Sequence, residues 1–156
     1  MTFKLENKYI SGFVNWFGML GDLTAKQARM RGRFLTILVA QLNHVADSHK
    51  NILVKYSKKD ENGKPATVVV DGIENYDIPQ DQLEAFRKDD QELLDEVFAL
   101  DVTAANSEMF ETVKDLVINT QFTFGPKETD SDQVKQQKIA QMNDYDTWCN
   151  AFETAQ

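Results

Sequence analysis

TAKQARMRGRFLTILVAQLNHVADSHKNILVKY, residues 24–56, is the stretch that decides the fold. Thr24 with Gln27 three positions on forms a capping box, in which each side chain bonds the other residue's backbone N–H. Leu35, Leu38, Val39, Leu42, Val45, Ala46, His49, Leu53 and Tyr56 then keep one face apolar at helical spacing. The stretch predicts one helix of roughly 33 residues, ~50 Å long if straight. Gly32 is its weak point for a bend. A helix of this length is expected to be the spine of the fold.

Upstream, Phe3 and Leu5 alternate with polar residues and suggest a short strand. From Asn7 the period changes. Ile10, Phe13, Val14, Phe17 and Leu20 share one helical face, and Tyr9, Trp16 and Met19 form a second apolar stripe. A helix apolar on two sides is expected to lie between neighbours. Gly12 and Gly18 weaken that helix, and Gly21-Asp22 ends it. Downstream, Asn62-Gly63 marks a turn, and residues 66–78 read as a β-hairpin closed by Asp71-Gly72. Pro79 opens a helix whose face is Leu83, Phe86, Leu93, Leu94 and Val97. Asn106 or Ser107 caps another, carrying Phe110, Val113, Leu116 and Val117. Phe122 and Phe124 alternate before Gly125-Pro126. A cap-rich segment, Thr129 to Asp132, leads into a last helix with Val134, Met142, Tyr145, Trp148, Cys149 and Phe152. The expected fold class is α+β, mainly α with a small β-hairpin. A long central helix is packed by three or four shorter ones in a single domain, residues 1–156.

Charge is divided along the chain. Residues 1–59 carry ten Lys/Arg against three Asp/Glu, and residues 60–156 carry seven against twenty-two. Either the two parts face one another or one surface is built for a charged partner. The net charge of −8 argues against direct nucleic-acid binding. No apolar run reaches the ~20 residues of a membrane span, and the N-terminus lacks a signal-peptide pattern. A cytoplasmic protein is expected. One cysteine, Cys149, allows neither an internal disulfide nor a multi-cysteine metal site.

No residue set has catalytic or metal-ligand spacing, so neither catalysis nor a cofactor is expected. His44 and His49 are five apart, which rules out a zinc pair of the i, i+4 type. His49 lies on the apolar stripe and reads as a core histidine, and His44 with Asp47 as a surface pair. Lys26, Arg29, Arg31 and Arg33 form a basic cluster, read either as an anion clamp or as internal partners of the acidic part. Asp89, Asp90, Glu92, Asp95 and Glu96 crowd about two helical turns, where like charges repel. They read as a solvated face or as a protein-binding surface, with the hairpin from Asn62 to Tyr76 the next candidate. The Asp60-Glu61-Asn62-Gly63 stretch lacks the glutamate that would close a calcium loop and reads as a turn.

Several segments, in order, are distinctive together: Lys4-Leu5-Glu6-Asn7; Ala28-Arg29-Met30-Arg31-Gly32-Arg33-Phe34; Tyr56 to Pro65, followed by Tyr76 and Phe86; Leu93-Leu94-Asp95-Glu96; and Tyr145 to Glu153. This order resembles a family of small proteins of unknown function encoded by tailed phages and prophages of Gram-positive bacteria, often near tail and lysis genes. The stretch from Ile118 to Gln141 has no counterpart in the resemblance, which supplies no site residue. It implies a non-enzymatic protein of the host cytoplasm or the virion that binds a phage structural protein or a host factor. Two roles are expected to compete: a tail-region structural or assembly component, and an acidic inhibitor of a host defence or nucleic-acid enzyme.

Overall fold

The capping box forms as its residues dictate. In the computed structural model, which describes residues 1–119 and 125–155, Thr24 N donates to Gln27 Oε1 at 2.9 Å and Gln27 N donates to Thr24 Oγ1 at 3.3 Å. The elements in order are β1 (Thr2–Glu6), α1 (Asn7–Gly18), α2 (Ala25–Tyr56), β2 (Thr67–Val70), β3 (Ile73–Tyr76), a 3-10 turn (Gln80–Gln82), α3 (Leu83–Asp95), β4 (Val97–Asp101), α4 (Ser107–Ile118) and α5 (Asp132–Glu153). The fold is α+β, with a long helix packed by others and two small antiparallel sheets, β1–β4 and β2–β3. Among the described residues no helix is long and apolar enough to cross a membrane. The alternating pair Phe122 and Phe124 lies outside the described residues.

The chain divides into two compact units, residues 1–42 with 97–156, and residues 43–96. The first holds an aromatic core. Phe3, Phe13, Trp16, Phe17, Phe34, Phe110, Trp148 and Phe152 are all buried. Phe152 of α5 is central: its ring lies 4.7 Å from Phe3, 5.4 Å from Phe110, 5.7 Å from Phe34 and 6.0 Å from Phe13. Trp16 stacks on Trp148 at 5.3 Å. The four Phe152 contacts are tilted, and the edge-on pairs Phe3–Phe34 and Phe13–Phe34 beside them suit the ring quadrupoles. Gly12 of α1 is where α5 comes close, since a Cβ there would stand 3.2 Å from Trp148 Cζ2.

Four sequence expectations need correction in detail. Val97 is not the end of a helical face. Glu96 takes an extended backbone, φ −58° and ψ 140°, and Val97 opens β4 opposite Glu6 of β1. The alternation of Phe98 and Leu100, packed against the core, suits a strand once β1 supplies a partner. On α2 the buried row is Met30, Phe34 and Leu38, while Val39 is 42% exposed. That row wins because Phe34 meets three other phenylalanines. Met19 falls just past the end of α1 and is exposed. In α5, Val134 and Met142 are exposed, and burial is confined to Gln141, Trp148, Ala151 and Phe152.

The second unit combines the end of α2, the β2–β3 ribbon and α3. The ribbon closes as its turn residues require, with Asp71 at φ 53° and Gly72 at φ 79°. Asp60 Oδ1 accepts from Asn62 N and Lys64 N at 2.8 Å each, so the Asp60–Gly63 stretch is the expected turn. Phe86 of α3 meets Tyr56 and His49 of α2 edge-on, each at 6.3 Å.

Candidate functional site

The five clustered carboxylates do not share one fate. Asp89 accepts from Lys55 Nζ at 2.6 Å and from Tyr56 Oη at 2.7 Å. Those two hydrogen bonds hold its carboxyl below the usual range and raise the Lys55 ammonium. Asp90 lies 2.5 Å from His49 Nδ1. His49 is therefore not a core histidine but a half-exposed partner of α3. Asp89 and Asp90 thus fasten α3 to α2. Asp95 accepts from Gln91 one turn back, and Glu92 is in reach of Lys88 at 3.8 Å. Glu92, Asp95 and Glu96 stay exposed.

The basic cluster also divides. Lys26 pairs with Glu108 at 2.7 Å, and Arg29 and Arg33 add to the field that holds the Glu108 carboxyl low. Arg31 points elsewhere, donating to the carbonyls of Phe17 and Leu20 at the C-terminal end of α1. Phe17 O also accepts from Leu20 N, and Leu20 lies just beyond the helix, so Arg31 ties α2 to the chain leaving α1. Sequence spacing groups the four cations, and the structure gives three of them one acid and the fourth a helix terminus.

Between α2 and α3, within the second unit, a groove of about 430 Å³ is lined by His44, Ser48, Asn51, Asp89, Glu92 and Glu96 among others. Among the described residues no group of three His, Cys, Asp or Glu could hold a metal ion. Burial raises the Cys149 thiol and keeps it protonated, a poor nucleophile.

The feature that sequence spacing did not single out is the exposure of the ribbon. Val68 is 40%, Val69 71%, Val70 54% and Ile73 65% exposed. Val70 pairs with Ile73 and Val68 with Asn75, so Val68, Val70 and Ile73 share one face of the ribbon. That face has no covering element among the described residues. In residues 43–96, Leu93 is the one buried hydrophobic residue. The β-branched run was legible as a strand, but its lack of cover was not. Compared with known protein families, curated proteins and solved structures, the chain matches none.

Proposed function

We propose that this is a non-enzymatic protein-binding protein, a phage-encoded structural or assembly component of the virion tail region, whose contact element is the β2–β3 ribbon. The observation that carries the reading is the ribbon face of Val68, Val70 and Ile73, left open to water on a unit with almost no core of its own. Exposed apolar patches of this kind mark interaction sites. The resemblance to phage-encoded proteins supports the assembly role and the virion or host cytoplasm as its location. The alternative, an acidic inhibitor acting by mimicry, has less support, because Asp89 and Asp90 are committed to α2. Glu92 and Glu96 stay exposed on this stretch and would steer a basic partner, which affects association rate and specificity more than affinity.

Covering the exposed parts of Val68, Val70 and Ile73 would contribute about 2–5 kcal/mol at the usual value per buried aliphatic side chain. Replacing all three with threonine keeps β-branching and removes much of that gain. The test is affinity capture from infected cells with parent and triple variant side by side. The parent should retrieve a specific phage protein and the variant at least about tenfold less of it, with unchanged circular dichroism. Equal retrieval by the two proteins would refute the ribbon as the contact surface.

A further inference from the structure

The hydrogen-bond phase of the β1–β4 ladder leaves one side of β1 open. Val102 N donates to Met1 O at 2.8 Å, one step beyond the pairing of Thr2 with Asp101. In an antiparallel ladder bonded pairs alternate with unbonded ones. Phe3–Leu100 and Leu5–Phe98 are therefore the bonded pairs. Thr2, Lys4 and Glu6 aim their N–H groups away from β4, and Thr2 and Lys4 aim their carbonyls the same way. The sheet has two strands, and among the described residues no hydrogen bond reaches these outward groups.

A groove lies beside them. Two adjoining depressions, of about 270 and 140 Å³, share Lys4, Ala151 and Thr154. Thr147 and Asn150 complete the helical side, so positions 147, 150, 151 and 154 present one face at i, i+3, i+4 and i+7 spacing. Strand edge on one side and helix face on the other make a trough for an extended chain. Glu6 is engaged by Lys8 at 2.5 Å, whereas Lys4 has no ion pair among the described residues. The uncompensated charge in the groove is thus positive.

We propose that an extended, acidic peptide segment of a partner protein adds to β1 as a third strand, with about five residues along the edge. Outward N–H and C=O groups at every second residue are what a neighbouring strand satisfies. A carboxylate on the segment would meet Lys4. A second copy is a poor occupant, because antiparallel pairing of two β1 edges centred on this strand sets Lys4 against Lys4. This groove lies in the first unit and the ribbon in the second, so each reading can fail without the other.

The test uses the full chain and a terminally blocked seven-residue peptide of alternating valine and threonine with a central aspartate. Glu6 already has φ −67°, the value proline requires, so Glu6→Pro deletes an outward N–H with little strain. Glu6→Ala controls for loss of the Lys8 pair. Nuclear magnetic resonance titration should show the peptide perturbing the amides of Thr2, Lys4 and Glu6 in the parent, with comparable affinity for Glu6→Ala. Affinity should fall at least about tenfold for Glu6→Pro and for Lys4→Glu. No perturbation at millimolar peptide, undiminished binding by Glu6→Pro, or shifts confined to Val68–Ile73 would each overturn the proposal. So would amide protection that grows with protein concentration alone, since it would make a second copy the occupant.

Discussion

Two glycines that look alike in sequence should respond oppositely to alanine. Both Gly12 and Gly32 sit inside helices, where alanine is worth about 0.8–1.0 kcal/mol over glycine. At Gly32 nothing lies within 4 Å of a built Cβ. Gly32→Ala should therefore stabilise by about 1 kcal/mol, and raise Tm by roughly 2–4 °C for a chain of this size. At Gly12 the new methyl would stand 3.2 Å from Trp148 Cζ2 and 3.6 Å from Asp144 Oδ2. Trp148 cannot give way easily, being 1% exposed, stacked on Trp16 and edge-on to Phe13 at 5.5 Å. Overpacking of this kind costs about 1–3 kcal/mol, which cancels or exceeds the propensity gain. Gly12→Ala should thus be neutral to ~2 kcal/mol destabilising, leaving the two variants about 1–3 kcal/mol apart. Urea unfolding of both variants, followed by tryptophan fluorescence, measures the difference directly. If Gly12→Ala gains as much as Gly32→Ala, the close α1–α5 approach is not there.

Three further outcomes follow from the same geometry. Phe152→Ala empties the centre of the aromatic core and should cost about 3–5 kcal/mol, and a loss under 1 kcal/mol in chemical denaturation would contradict its placement. Tyr145 Oη donates to Val117 O at 2.6 Å near the end of α4, so Tyr145→Phe should cost about 0.5–1.5 kcal/mol, read as a lower unfolding midpoint. Asp89, Glu108 and Asp130 are held low by Lys55 with Tyr56, by Lys26 and by Lys138, so their stabilisation is complete above the ordinary carboxylate value. It is lost as pH falls through the depressed values. Asp144, raised by burial, works in the opposite sense. Melting curves should therefore be flat from neutral pH to about 5 and drop below about 4, with a smaller acid drop for Asp89→Asn. An identical drop in that variant would show that the Asp89 contacts contribute nothing.

What the sequence determined by itself was local. The Thr24–Gln27 box, the Asp71-Gly72 turn and the polar lead into α5, where Ser131 Oγ accepts from Val134 N, each depend on residues within a few positions of one another. Chemistry at that range is written in adjacent letters, and so were the α+β class and the long helix. The tertiary structure decided what depends on distant partners. Val97 became strand because β1 offered an edge to pair with, and Phe34 became the anchor of α2 because Phe3, Phe13 and Phe152 converge on it. The acidic cluster was visible as a cluster, but only the seating of α3 against α2 separated Asp89 and Asp90, which are paired, from Glu92 and Glu96, which are open to solvent. Likewise Val68 to Val70 announce a strand by their branching, whereas their exposure depends on what the rest of the chain leaves uncovered. Propensity is a property of a residue and its near neighbours, while burial and pairing are properties of surfaces that meet only after the chain has folded.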